Sequence, residues 1–412
     1  MRKKAHMVLF VLVCLICTGC GGIDFRHDVP RDYALSQEAV QSTLRMEDLP
    51  EEEELSVDFL MEEIYPYARG TLSEAEQIWY RDMERILGSF GEQINLSREG
   101  LDAGLDESSI DRIFQCVLSD HPELFYVDGY SYTKYSRGEA LTAVEFSGSY
   151  NVDLDTALER QETIRIASEQ ILSGIGAGAS DYEKVKYVYD TLIRQTDYDL
   201  KASDNQNIYS VFANHTSVCQ GYAKATQYLL NKLGVECTLV LGTVETGEGH
   251  AWNLVKVDGD FYYVDTTWGD VSYQMEEASP EESAAGNGEP AMPEINYDYL
   301  NVTTAELLRT HSIGGQVPMP ICTAKEANYY VREGGYFSFY DREQMEALFR
   351  TAVESGRRDV TIKCAGEACY REIVEGLIDG QEIFRYLTGE EGKIAYAQNE
   401  KQLSLTFWVT NE

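Results

Sequence analysis

Basic residues are scarce in this chain. Lys and Arg number 34 against 70 Asp and Glu over 412 residues, a formal net charge of −36. Such a polyanion has no electrostatic footprint for a phosphate backbone, which excludes nucleic-acid binding as a function class. Anionic lipid would repel it as well, so attachment to a membrane needs a separate device. Cysteine is sparse too: nine in all, with only Cys116, Cys219, Cys237, Cys322, Cys364 and Cys369 beyond the first 20 residues. Six thiols in a body of this size do not make a disulfide scaffold. Cys364 and Cys369 suit either a small disulfide loop or two separate buried thiols. Beyond residue 20 the five His are scattered and no C-x-x-C occurs, so a structural zinc site has no support; a calcium-loop signature is also missing. No cofactor is implied. What remains is an ordinary globular mix, 43% hydrophobic and 25% charged, able to bury a sizeable core.

The apolar run at the front, Met7 to Cys17, has 11 residues. A spanning helix takes ~20. Arg2, Lys3 and Lys4 precede the run and Thr18-Gly19-Cys20 follows it, the pattern of a secretory signal with a small-residue cleavage site. The Cys directly after Thr18-Gly19 resembles a bacterial lipoprotein signal. That resemblance implies removal of residues 1–19, a lipid on Cys20, and an extracytoplasmic body held at the membrane by the lipid.

Residues 20–61 are polar and acidic, including Glu51 to Glu54, and read as a solvated tether. An N-terminal α+β region is expected over 62–175. Ser73-x-x-Glu76 is a capping box that opens a helix, a second helix covers about 108–119 and stops at His121-Pro122, and strands are expected at 124–127, 130–135 and 144–150. A long helix follows at 155–172. Ser180-x-x-Glu183 then opens a domain over 176–315 with another capped helix. Its segment 275–294 is acidic, rich in Pro, Gly, Ser and Ala, and aperiodic, the composition of a flexible loop. The last part, 316–412, reads as a small α+β module. Its strands are expected near 329–331, 336–340, 360–364, 393–397 and 403–409, and its helices near 341–354 and 367–378.

The chemistry concentrates in 217–270. Ser217 with Gln220 three residues on reads as a third capping box, which puts Cys219 in the first turn of a helix that Gly234 ends. Unsatisfied N–H groups and the positive helix end favour a thiolate there. Strands are expected at 235–242, 249–257 and 260–265. Asp258-Gly259 is a two-residue hairpin turn signal, so Val257 pairs with Asp260 and paired numbers sum to 517. In that register Trp252 faces Asp265, and Asp265 is the diagonal neighbour of His250 on the same face, ~7–8 Å away between backbones. A one-residue slip would put the two on opposite faces. Cys219, His250 and Asp265 thus form a candidate triad: a sulfur nucleophile, an acid–base imidazole, and a carboxylate that orients it. Gln206, Asn207 and Tyr209, on the preceding loop, are candidates for a second oxyanion donor, and His215 is expected to solvate or cap a loop.

Cys219-Gln-Gly-Tyr-Ala, Gly249-His-Ala-Trp-Asn and Val264-Asp-Thr-Thr-Trp, in this order and spacing, resemble the transglutaminase-like superfamily of papain-type thiol enzymes. The resemblance covers roughly 180–312, and Thr266 stands where many members carry Pro. The tail Tyr297-Asp-Tyr-Leu-Asn-Val…His311 is similar to that of bacterial lipoproteins of this type. The resemblance implies an α+β, transglutaminase-like (papain-like) core, with a helix-borne Cys219 and an antiparallel sheet carrying His250 and Asp265, flanked by small α+β modules. Its members include cross-linkers, peptidases, amidases and inactive relatives. The expected function is a membrane-anchored cysteine peptidase or amidase acting on a protein or cell-wall peptide. Acyl transfer from glutamine is the second reading, and a non-catalytic surface binding protein on the same scaffold is the third.

Overall fold

The computed structural model describes residues 65–137, 140–271, 293–357, 359–387 and 394–408. The signal, Cys20, the tether and the loop 275–294 up to residue 292 lie outside the described residues. The chain falls into two compact units. One holds the residues up to Ala167 with Gly315–Pro318, and the other holds Ser168–Gly314 with Met319 onward. The described residues of 319–412 therefore share a compact unit with those of the 168–314 segment.

In the first unit the helix Glu74–Gly88 starts on the Ser73/Glu76 capping box, with both reciprocal bonds formed. The helix Ile110–Asp120 packs beside it, and Asp120 accepts the backbone N–H groups of Ala68 and Arg69 and the Tyr80 hydroxyl. Strands Val127–Arg137 and Ala140–Tyr150 form a long hairpin. Residues 124–126 turn rather than extend: Leu124, Phe125 and Tyr126 are buried as a compact bend ahead of the first strand.

The second unit is built on two four-stranded sheets. The first is antiparallel throughout, in the order Asp260–Val264, Gly249–Val257, Cys237–Val244, His311–Ile313. The helix Cys219–Lys232 lies on it, with Cys219 and Ala223 against Leu239 and Ala251. Asn253 ties sheet to helix by donating to the Ala223 carbonyl at 2.9 Å. The helix Asp181–Gln195 begins on the Ser180/Glu183 box and packs on the Cys219 helix. The second sheet runs Tyr336–Phe337, Asp359–Cys364, Ser404–Trp408, Ala395–Asn399, with helices Arg342–Glu354 and Glu367–Val374 closing a core around Phe349, Ile362 and Phe407. Tyr329–Arg332 is a helical turn, not a strand, because the Asn328 side chain accepts the Tyr330 N–H and caps it. Cys364 and Cys369 are free, buried thiols. Among the described residues no helix is long and apolar enough to cross a membrane.

Candidate active site

The hairpin register is the one that the turn residues dictate. Val257 pairs with Asp260, and Asn253 pairs with Val264, so the numbers sum to 517. Asp258 and Gly259 both take positive φ, as a two-residue turn matched to strand twist requires. One position past the last pair the chain leaves the ladder. Asp265 becomes the N-cap of the short helix Thr266–Gly269, its Oδ1 accepting the Trp268 N–H at 3.1 Å. Its other oxygen, Oδ2, meets His250 Nε2 at 2.8 Å. Both side chains are essentially buried.

Cys219 opens its helix, but the capping box expected there does not form. The N-cap is Val218, with no side-chain cap, so Cys219 is the first helical residue. Ser217 sits one residue too early, in a two-residue parallel bridge with Asp197–Tyr198. Its hydroxyl donates to the Asn205 carbonyl at 2.7 Å and lies 3.0 Å from the Ser210 hydroxyl. The backbone path stays compact here: a Cβ on Gly221 would lie 1.9 Å from the Ser217 Oγ. The first-turn placement of Cys219 survives, and its side chain lies within hydrogen-bonding reach of His250.

Electrostatics fix the state of the imidazole. Burial opposes a charged ring at His250. The Asp265 carboxylate, through its charge and hydrogen bond, and the Cys219 side chain both favour it, and together they push its pKa up to about 10. Burial also opposes the charge on Asp265, yet His250 and a second imidazole, His311, hold its carboxyl well below the usual carboxylate range. His250 therefore keeps its proton through neutral pH, with Nε2 committed to Asp265 and Nδ1 left for Cys219.

His311 is the residue that the sequence reading did not assign. It lies on the strand His311–Ile313, and its Nε2 meets the same Asp265 Oδ2 at 3.0 Å. Trp252, Trp268 and Tyr299 surround it, with ring centroids 5.0, 4.7 and 5.6 Å away. Trp252 is fully buried with its ring 5.9 Å from that of His250, although its expected pairing with Asp265 does not form because the ladder ends at Asn253 and Val264. His250, Asp265 and His311 are residues of the kind that hold a metal ion. Around a tetrahedral zinc with bonds of ~2.0–2.1 Å, however, ligand atoms stand about 3.3 Å apart. Separations of 2.8 and 3.0 Å with one carboxylate oxygen between two ring nitrogens are hydrogen-bond distances.

Of the expected oxyanion candidates, Gln206 is exposed, Asn207 is buried with its Oδ1 accepting the Tyr209 N–H, and Tyr209 is half-buried. His215 is exposed, in a left-handed conformation where a short π-turn ends.

The model of the transglutaminase-like superfamily matches residues 169–266. Among curated proteins, kyphoscoliosis peptidase of Mus musculus is 26% identical over 126 residues, 26% of this chain and 19% of the relative. The Homo sapiens protein of that name is 25% identical over the same shares. This chain thus spans about a fifth of the curated relatives it matches. Among solved structures, a TGase is similar at 15% identity and a TM-score of 0.25, over 40% of this chain and 47% of that one. The periplasmic domain of TgpA from Pseudomonas aeruginosa is similar at 14% identity and a TM-score of 0.20, over 32% of this chain and 57% of that one. The α+β segment at 169–266, with Cys219, His250 and Asp265 inside it, is a transglutaminase-like superfamily domain.

Proposed function

We propose that this chain is a thiol enzyme that cleaves an amide in a protein or peptide through Cys219, His250 and Asp265. The observation that carries the reading is the pairing of His250 Nε2 with Asp265 Oδ2 at 2.8 Å, with the side chain of the helix-start Cys219 interacting with the same ring. A ring held this way delivers a proton from Nδ1 at one fixed position. The Cys219 sulfur attacks the amide carbon and forms a C–S bond. His250 gives its Nδ1 proton to the leaving nitrogen, the C–N bond breaks, and a thioester remains. Water then attacks the thioester carbon while His250 takes one of its protons. The C–S bond breaks, and the acid leaves with Cys219 restored. An amine in place of water would give acyl transfer by the same steps, and the choice between them lies with what reaches the thioester. A purely binding scaffold has no use for a buried carboxylate that keeps an imidazole charged beside a thiol.

The signal-like start supports an extracytoplasmic body anchored by lipid at Cys20. The test of the enzyme reading is an amide-substrate library presented to the full chain and to Cys219→Ala. Turnover by the wild type alone, with a thioester trapped at Cys219 on acid quench, supports it. Equal turnover by both proteins sinks it.

A further inference from the structure

Asp265 is not the end of the hydrogen-bonded line that starts at Cys219. Behind it the line runs through His311 into residues of the C-terminal sheet. His311 Nδ1 lies 2.9 Å from Thr310 Oγ1. Gln402 Nε2 reaches the same Thr310 oxygen at 3.2 Å. Gln402 Oε1 lies 3.2 Å from Lys363 Nζ, which also meets Asp298 Oδ1 at 3.1 Å. Lys363 and Gln402 are fully buried, and Thr310, His311 and Asp265 nearly so.

The direction of donation follows from chemistry alone. An ammonium only donates, so the Gln402 atom facing Lys363 is its carbonyl oxygen. The other end of that amide is then NH2, which only donates, so the Thr310 oxygen accepts from it. The Thr310 hydrogen goes to His311 Nδ1, at 2.9 Å the nearest of its acceptors, with the Tyr299 hydroxyl at 3.4 Å and the Leu307 carbonyl at 3.5 Å. A ring that accepts at Nδ1 carries its hydrogen at Nε2, the atom that faces Asp265 Oδ2.

We propose that His311 is a positioning residue for the Cys219–His250–Asp265 site, a neutral imidazole locked in its Nε2–H form by a one-way donor chain from Lys363 through Gln402 and Thr310. Lys363 and Gln402, from the C-terminal part of the chain, thereby complete the site, which rests on the thiol-enzyme reading above. The chain has a mechanical consequence. Oδ1 is held by the Trp268 N–H, and Oδ2 by His250 on one side and His311 on the other. The carboxylate then cannot rotate away when His250 gives up its proton, and the ring it orients stays aimed at Cys219. The ionisable groups facing His311 are Asp265, His250 and Tyr299; Lys363, Asp298 and Glu306 lie beyond, around Gln402 and Thr310.

The experiment uses the full chain with 15N-labelled histidine. Its imidazole signals are followed from pH 5 to 9, and the rate of Cys219 alkylation is measured over the same range. His311 is expected to show one N–H, at Nε2. In Gln402→Leu the Thr310 hydroxyl is no longer directed, and His311 is expected to carry hydrogen at Nδ1 as well. His311→Gln keeps an N–H for Asp265 and an acceptor for Thr310, and is expected to alkylate within about threefold of wild type. His311→Leu is expected to lose about tenfold and to shift the pH profile, as the loss of one buried charge-assisted bond implies. A wild-type His311 that carries hydrogen at Nδ1 overturns the proposal. So does a Leu variant that folds and reacts like wild type, or zinc at one per chain that is lost in His311→Gln. Should Cys219 prove inert in the wild type, the thiol reading fails by itself, and the imidazole signals still judge the donor chain.

Discussion

A Cβ placed on Gly242 would lie 2.5 Å from the Trp252 ring and 2.1 Å from the Ser312 carbonyl oxygen. Gly242 pairs with His250 on one side and Ile313 on the other, so the strand bearing His250 and the strand bearing His311 are both registered on this residue. Only a residue without a side chain lets the backbone of one strand and the indole of another approach so closely. Gly242→Ala is expected to cost ~1–3 kcal/mol by overpacking. It is also expected to slow Cys219 alkylation, because the His311 strand must move outward. Urea unfolding and alkylation rates measure the two effects, and a variant as stable and reactive as wild type would show that this contact is not tight.

Buried ionisable groups in the first unit set a pH dependence. His121 meets Glu123 at 2.7 Å and Glu84 at 3.0 Å. Burial opposes its charge, but the two carboxylates win and push its pKa up to about 10. The unfolded value is ~6.5. The stabilisation is therefore complete below ~6.5 and is lost as pH rises toward ten. At Asp120 burial outweighs its hydrogen bonds and pushes the carboxyl up to about 6, so its contribution also shrinks as pH rises, between about 4 and 6. Amide exchange in the helix Ile110–Asp120 should then speed up, beyond base catalysis, between pH 7 and 10. His121→Gln should remove most of that dependence. An unchanged slope in the variant refutes the assignment.

Much of the site was legible in the sequence because local rules fixed it. The Asp258-Gly259 turn determines the hairpin register, and the register places Asp265 diagonal to His250 without further information. The two Ser-x-x-Glu boxes at 73 and 180 hold because nothing else competes for those hydroxyls. Ser217 failed as a cap for a long-range reason: the chain pairs it with Tyr198, and its hydroxyl is taken by the Asn205 carbonyl. His311 was legible only as part of a familiar tail. It reaches Asp265 because its strand pairs with Cys237–Val244, the strand on which the hairpin also lies, and no local pattern encodes that pairing. The link from Lys363 to Thr310 is more remote still, since it runs through Gln402, 92 positions from Thr310 in sequence.

Anchoring is tested outside the described residues. If Cys20 carries lipid, a fatty-acid analogue should label the wild type and not Cys20→Ser, which should appear in the medium. The apolar run at 7–17 has 11 residues, too short to span a bilayer. Equal labelling of the two proteins would end the lipoprotein reading.

The reactivity of the six thiols is the sharpest test of the enzyme reading. An ordinary thiol, with pKa ~8.5, is well under one per cent thiolate at pH 6. Burial pushes Cys116 up to about 12 and Cys322 up to about 11, and it raises Cys237, Cys364 and Cys369 as well. Those five should be nearly inert to iodoacetamide at pH 6. Cys219 faces an imidazole that is protonated throughout this range, and it should react ~100-fold or more ahead of them. His250→Ala removes the partner and should slow Cys219 at least about tenfold. Asp265→Asn leaves both imidazoles without their anion, so His250 loses the charge that keeps it protonated. The steep part of its alkylation profile should then move, while a mere loss of packing would lower the rate at every pH alike. Mass spectrometry of peptides labelled over time reads all six sites in one experiment. If all six label at similar rates, or if Cys219 is untouched in the folded chain, Cys219 is not the nucleophile, and the fold serves this protein as a binding scaffold.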